Sequence, residues 1–246
     1  MEIHYTSEPH LSEPVMIAAW PGMGYLAKIS ADYLRRRLKA KLFAEIKYYQ
    51  NAILYKDSIV RLPQIKHRFY AVEDRNLIIC VGEAQPSTPE EALRLADTVV
   101  DLAEKFRVRR IYTMAAYPND YPEKPRVYGV FTDEGLRDEL EEQGITFIEE
   151  EGAVNGLNGV LIGVAKHRGI DGVCLMGEIR YANVPQHLSS KAVLERLTAL
   201  LGFEVDTSQL EKRARKIDAS IRRSLGEYEE LEEPVKKDER SFRYIS

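Results

Sequence analysis

The sequence is poor in cysteine, which bears on where the protein works. Only Cys80 and Cys174 occur among the 246 residues. Two thiols cannot build a disulfide framework, and each lies in an apolar run, so we expect both to be free and buried. Secretion therefore gains no support. The stretch from Met1 to His10 lacks the basic and apolar regions of a signal peptide, and we expect a cytoplasmic protein.

Long apolar runs and an excess of positive charge are also missing. No run reaches the roughly 18 apolar residues that a membrane-spanning helix needs, so we expect no membrane partner. The formal net charge is −4, whereas a general nucleic-acid binder carries a basic face. The basic clusters at 35–37 and 107–110 are not interleaved with aromatic residues as single-strand binders require. We therefore predict no nucleic-acid partner.

What is present indicates an α/β protein. Hydrophobic residues make up 44% of the chain and charged residues 30%, which suits a sizeable core with a solvated surface. Short β-branched runs alternate with helical patterns, the arrangement typical of α/β packing. The predicted strands are 14–20, 41–47, 69–73, 76–81, 110–115, 127–132, 145–148 and 172–179. The predicted helices are 26–38, 89–106, 133–143, 155–168 and 190–201.

Two segments do not follow this alternation of strands and helices. No element is predicted for 48–68, which contains several tyrosines and lysines. The Tyr- and Pro-rich segment 117–128 is predicted to be a surface loop or insertion. Elsewhere the ends of helices are marked: Thr88 and Glu91 form a capping-box pattern, and Gly144 and Gly169 are natural helix stops.

The C-terminal part differs from the rest of the chain. We expect an α/β domain over 1–207, an amphipathic helix over 208–225 and a mobile tail over 226–246. A second capping-box pattern runs from Ser208 to Glu211. An apolar stripe on the helix is a candidate seam between subunits, although a helix docked on its own domain is the favoured interpretation. The seam residues are Leu210, Ala214, Ile217 and Ile221.

A candidate cleft is predicted at the carboxyl ends of the strands, the edge where α/β sheets bind ligands. Gly22 and Gly24 lie in a strand-to-helix turn whose amides are placed to hold an anion, although a tight structural turn is the favoured interpretation. Glu83 and Glu178 each follow a glycine near a strand end, and Asn155 precedes a helix. Either carboxylate alternatively caps a helix or pairs with an arginine.

The sequence shows no metal-ligand spacing, no nucleophile elbow and no complete phosphate-binding glycine pattern. We therefore predict a protein without enzymatic activity. The alternative is an enzyme or binding protein for nucleotide-like ligands, based on the glycine turn and the two glutamates.

An ordered series of motifs resembles the proteasome assembly chaperone 2 family, in particular its archaeal single-chain members. The series covers roughly residues 10 to 215. Its parts are Val15 to Gly24, Phe43 to Ile46, Gly82-Glu83 with Gln85-Pro86, Gly156 to Gly163, Gly169 to Gly172, Leu175 to Glu178, and Pro185 followed by the 190–201 helix.

The resemblance implies a nucleoside-phosphorylase-like α/β fold, a homo-oligomer and no cofactor. It also implies binding to the α-subunit ring of the proteasome core, as an assembly chaperone or an ATP-independent activator. Some members dock through a C-terminal hydrophobic-Tyr-any tripeptide. In this chain Tyr244 stands one place early for that pattern and follows Arg243, so Phe242, Tyr244 and Ile245 are the candidate docking residues.

Overall fold

A computed structural model describes residues 1–49, 53–121 and 123–232, which form a large mixed sheet flanked by helices. The strands are β1 (Ile3–Tyr5), β2 (Val15–Ala19), β3 (Lys41–Tyr49), β4 (Leu54–Lys56), β5 (Ile59–Arg61), β6 (Gln64–Val72), β7 (Leu77–Gly82), β8 (Arg110–Pro118), β9 (Val127–Phe131), β10 (Thr146–Phe147) and β11 (Asp171–Ile179). The helices are α1 (Leu26–Arg37), α2 (Pro89–Lys105), α3 (Arg137–Glu142), α4 (Leu157–His167), α5 (His187–Leu200) and α6 (Ser208–Glu232).

The main sheet has nine strands in the order β1-β3-β6-β7-β2-β8-β11-β9-β10. Its centre is parallel, because β2 pairs in parallel with β7 and β8, and β8 pairs in parallel with β11. Strands β6 and β9 run antiparallel to their neighbours β7 and β11. The short strands β4 and β5 form a separate two-stranded sheet.

Two apolar cores fill the spaces on either side of this sheet. Side chains of α2 and α4 pack on one face, and side chains of α1, α3 and α5 pack on the other. Strand β2 lies in the middle and is buried along its whole length, which explains its unbroken apolar sequence. The predicted α/β fold with a sheet flanked by helices is confirmed.

Of the two capping boxes predicted from the sequence, the one at Thr88 forms and the one at Ser208 does not. The Thr88 hydroxyl accepts a hydrogen bond from the Glu91 amide at 3.2 Å, as predicted, while the Glu91 carboxylate accepts from the Ser87 amide. The second capping box is wrong: Ser208 is already helical, and the Glu211 carboxylate pairs with Arg215 at 2.6 Å. Charge pairing within the helix competes successfully for that carboxylate.

Three boundaries also differ from the sequence prediction. The unassigned segment contains the ends of β3 and β6 and the β4–β5 hairpin between them. The predicted surface loop begins later, because β8 continues to Pro118 beside β11, and Tyr121 and Tyr128 are buried. Helix α6 continues past Gly226 to Glu232. Among the described residues, no helix is long and apolar enough to cross a membrane.

Candidate functional site at the carboxyl edge of the sheet

Motif residues that are far apart in sequence meet where the central parallel strands end. The first contact fixes the chain after β2. The Trp20 amide donates to Asn158 Oδ1 at 2.9 Å, and Asn158 Nδ2 donates to the Trp20 carbonyl at 3.2 Å. The Asn158 side chain, buried in the first turn of α4, thus satisfies both main-chain groups of Trp20. It joins α4 to the end of β2.

The Trp20 indole is held in a second set of contacts. Its Nε1 donates to His67 Nδ1 at 3.0 Å, and Tyr48 stacks on His67 with ring centroids 5.4 Å apart. The indole also lies directly on Gly82. A Cβ atom at Gly82 would overlap the indole and lie 2.7 Å from His67 Nδ1. Only glycine leaves room for both rings at this strand end.

The buried imidazole is uncharged near neutral pH. Burial, and to a lesser degree the positive charge of Lys28, lowers the pKa of His67 to about 4. Because Nδ1 accepts from Trp20, the proton of the neutral ring is on Nε2, which has no hydrogen-bond partner among the described residues. His67 therefore acts here as a neutral acceptor.

Gln85 makes the third link at this edge. Its Nε2 donates to the Pro21 carbonyl at 2.9 Å, and its Oε1 accepts from the Leu157 amide at 3.0 Å. The second bond satisfies an otherwise free amide at the start of α4, a role that a local capping residue usually has. We refer to Trp20, His67, Gly82, Gln85 and Asn158 as the Trp20 network.

Both main-chain polar groups of Gly24 are hydrogen-bonded to the segment before α5. Its amide donates to the Ala182 carbonyl at 2.6 Å, and its carbonyl accepts from the Gln186 amide at 2.8 Å. Its φ is +62°, and a Cβ atom there would lie 2.5 Å from Gln186 Cγ. The Gly24 amide is therefore not free to hold an anion, and the turn is structural, which was the favoured interpretation.

A cleft of about 820 Å³ lies beside the network, between the turn after β2, the end of β8 and the segment before α4. Its volume is in the range of small-molecule sites. Of the residues predicted to form a cleft, Gly22 and Asn155 line this one, whereas Gly24, Glu83 and Glu178 do not. The lining is largely apolar, and its charged members are Glu150 and Glu151. The cleft is thus apolar with acidic groups.

The two predicted glutamates do not form a pair. Strands β2 and β8 lie between β7 and β11, so the ends of the latter are roughly 14 Å apart at ordinary strand spacing. Glu83 accepts from the Lys66 amide at 3.0 Å and from Arg68 at 2.8 Å. This is the arginine pairing that was the alternative to a ligand site.

Glu178 is a completely buried carboxylate, and both of its oxygens accept hydrogen bonds. It accepts from Asn119 Nδ2 at 2.8 Å, from the Arg126 amide at 2.7 Å and from the Tyr128 hydroxyl at 3.1 Å. The Arg126 guanidinium adds an ion pair at 2.9 Å. Burial raises the pKa of Glu178, but these hydrogen bonds outweigh burial and hold that pKa below its usual value. Glu178 anchors the chain between β8 and β9.

The predicted seam on α6 belongs in part to packing within the chain. Leu210 is completely buried and Ala214 nearly so, on the face of α6 that contacts α5. Ile217 and Ile221 are half-buried. Leu210 is therefore inaccessible to a second subunit. The candidate docking residues Phe242, Tyr244 and Ile245 lie outside the described residues.

Sequence reasoning missed the residues that hold this edge together. His67 has no metal-ligand spacing, and Asn158 lies in a helical stretch that contains no recognisable motif. Gly82 and Gln85 belong to the motif series, but nothing local to them indicates contact with Trp20. No cluster of three or more metal-ligating side chains occurs in the described part of the chain.

The protein is thus a three-layer α/β protein. The turn after β2 is hydrogen-bonded to α4, to Gln85 and to the segment before α5. It lies beside a largely apolar cleft whose charged residues are both acidic. The model of the PAC2 family matches residues 16–225. The chain belongs to this family, which confirms the resemblance found in the sequence.

Solved structures of other proteins are similar to this chain over most of its length. PbaB of Pyrococcus furiosus, an archaeal proteasome activator, is 31% identical with a TM-score of 0.80, covering 91% of this chain and 98% of that one. PbaA of the same organism, an archaeal homologue of proteasome-assembly chaperone, shares the fold at 23% identity and a TM-score of 0.74, covering 93% and 94% of the two chains. An uncharacterised protein of Methanocaldococcus jannaschii is 28% identical over 96% of this chain and 93% of its own length.

Proposed function

We propose that the protein is a homo-oligomer that binds the α-subunit ring of the proteasome core particle, as an assembly chaperone or ATP-independent activator. The observation that carries the proposal is the 31% identity to a proteasome activator over 98% of that chain. Both cysteines are buried free thiols, which fits a reducing compartment, and we place the action in the cytoplasm.

The geometry at the carboxyl edge supports a binding protein rather than an enzyme. The Gly24 amide is occupied, and Glu83 and Glu178 are each engaged by an arginine. The alternative of a nucleotide-like ligand is not favoured. The charged groups lining the cleft are Glu150 and Glu151, which would repel phosphate groups.

The contact with the core particle is assigned to the C-terminal residues Phe242, Tyr244 and Ile245. Their support is compositional: two aromatic residues and an isoleucine stand at the tip of a Glu- and Lys-rich segment. Aromatic side chains, tyrosine in particular, are common anchors in the hot spots of protein interfaces. Helix α6 precedes this segment along the chain.

A binding assay with purified core particle tests the proposal. Full-length protein, tagged at the N-terminus, is compared with a chain ending at residue 240 and with a chain whose last six residues are replaced by glycine and serine. We expect the α subunits to co-purify with the full chain and to be reduced strongly with both variants. If none of the three chains retains the core particle, the proposed function is wrong.

A second readout separates the two modes of action. An activator raises hydrolysis of a small peptide by the assembled core particle without added ATP. An assembly chaperone instead accelerates formation of core particles from separate subunits and leaves the peptidase rate of finished particles unchanged. Binding to the core with neither effect would contradict both modes.

A further inference from the structure

The β4–β5 hairpin is separate from the main sheet and has a well-defined geometry. Tyr55 lies opposite Val60, with Lys56 opposite Ile59 in the next pair. The turn residues Asp57 and Ser58 have φ values of +50° and +62°. Two consecutive positive φ angles suit the twist of a tight antiparallel hairpin. Within the described residues, the outer edges of both strands pair with no other strand.

One face of this hairpin is entirely apolar. Side chains alternate between the two faces of a strand, so Tyr55 and Val60 share a face. Ile53 and Leu62 lie just outside β4 and β5, and continuing the same alternation by one residue at each end places them on that face. The opposite face is mixed, because Lys56 and Arg61 occur there. A strand pattern of this kind is typical of a sheet with one face on a core.

In the single chain, that apolar face is exposed to water. The exposed fractions are 60% for Ile53, 77% for Tyr55, 61% for Val60 and 51% for Leu62. An isolated two-stranded hairpin is marginally stable in water. A contiguous exposed apolar patch on a folded protein marks an interaction surface. The hairpin therefore needs a cover that the described part of the chain does not provide.

The apolar face reaches the lower limit of a specific interface. Its four residues expose surface on the order of 500 Å², so two copies that pack face to face bury about 1,000 Å². Tyr49, Leu54 and Ile59 are also exposed on or next to the hairpin, but Leu54 and Ile59 lie on its opposite face.

We propose that the β4–β5 hairpin is a self-association surface, packed against the same hairpin of a second copy of this chain. In a two-fold pair the same surface of each subunit meets its counterpart, so the two hairpins pack face to face. The apolar faces then bury each other, while Lys56 and Arg61 stay on the opposite face. The inference rests on the proposed self-association and does not depend on proteasome binding.

A second copy is a better occupant than the proteasome core. The apolar face is uncharged and must stay covered for as long as the protein is folded. Permanent interfaces are the ones with this apolar character, whereas partners that associate and separate expose more polar surfaces. A chaperone or activator meets the core only part of the time, but a second copy is always present at the same concentration.

The test is the mass of the full-length protein in solution. A Tyr55→Ser, Val60→Ser double variant removes the centre of the apolar face. The control, Leu93→Ser, removes an exposed leucine of α2, of which 52% is exposed. We expect the mass of the assembly to fall at least twofold in the double variant, towards the 28.2 kDa of one chain, and to stay unchanged in the control. Circular dichroism verifies that both variants are folded.

Cross-linking provides a measurement that does not depend on removing the contact. Both native cysteines are buried, so a Tyr55→Cys variant carries one reactive thiol, and a Leu93→Cys variant is its matched control. With a short bifunctional maleimide we expect covalent dimers of the first variant and monomers of the second. A wild-type chain that is monomeric, or a double variant with undiminished mass, would overturn the inference.

Binding to the core particle is measured on the same double variant. If it is monomeric and still binds the core, the inference stands and so does the proposed function. If its mass is unchanged but core binding is lost, the hairpin contacts the proteasome, and the inference is wrong while the proposed function survives.

Discussion

Acid destabilisation through His67 is the sharpest prediction from the Trp20 network. The ring is completely buried and accepts from Trp20, and its pKa is lowered to about 4 from an ordinary value of 6.5. The unfolded chain therefore binds a proton near pH 6.5 that the folded chain does not bind until about pH 4. Stability is complete above pH 6.5 and is lost as the pH falls towards 4.

The size of the loss follows from the two pKa values. Each unit of pKa difference corresponds to about 1.4 kcal/mol, so the free energy of unfolding should fall by roughly 3 kcal/mol across this range. The matched variant is His67→Asn, whose Oδ1 keeps an acceptor for the Trp20 indole but does not titrate. We expect it to be about 1–3 kcal/mol less stable at pH 7, because it loses ring packing.

Urea unfolding at several pH values from 7 to 4 measures both effects. Trp20 is the only tryptophan, so its fluorescence reports on the network itself. Protein concentration is held constant, because self-association would add to the apparent stability. The pKa of His187 is also lowered by burial, so the comparison uses the difference between the two proteins. If wild type and variant lose the same free energy between pH 7 and 4, His67 is not neutral and buried as described.

Three further predictions concern other parts of the molecule. Gly82→Ala should destabilise the fold by about 3 kcal/mol or more, because the added methyl overlaps the Trp20 indole, and urea unfolding measures this. Glu178→Gln should lose about 2–4 kcal/mol, since an amide cannot satisfy donors that all point at a buried carboxylate. Exchanging Tyr244→Ile with Ile245→Tyr creates the hydrophobic-Tyr-any pattern without changing composition, and should tighten core-particle binding several-fold in a titration.

The glycine and glutamate variants each have a matched control in the same chain. Gly163→Ala places a methyl where nothing lies within 4 Å on α4, so it should be neutral or stabilise by up to about 1 kcal/mol. Glu83→Gln removes an exposed ion pair and should cost less than about 1 kcal/mol. Equal losses for both glycine variants, or for both glutamate variants, would contradict the structural reasoning. A tail exchange that leaves affinity unchanged would refute docking by that pattern.

Local signals predicted much of the secondary structure. Strand β2 and the Thr88 cap of α2 could be predicted because each is determined by residues that are adjacent in the sequence. The signals failed where a long-range contact decides the local structure. Tyr121 and Tyr128 look like loop residues, but the buried carboxylate of Glu178 and the length of β8 bring them into the fold.

In the candidate site, too, the features set by local sequence could be predicted and those set by long-range contacts could not. Glu83 and Glu178 were placed correctly near the ends of their strands, because strand ends follow from the apolar runs before them. Their separation was not predictable, since it depends on β2 and β8 lying between the two strands. The order of strands in a sheet is set by packing among all the elements, and no single run of residues encodes it.

The sequence by itself determined the α/β class and the family, because these depend on periodicity and motif order. The tertiary structure alone decided that Trp20 meets His67, Gly82, Gln85 and Asn158, and that the β4–β5 hairpin has its apolar face in water. The reason is physical: hydrophobic periodicity records which face of an element is buried, and only the assembled sheet determines what it is buried against.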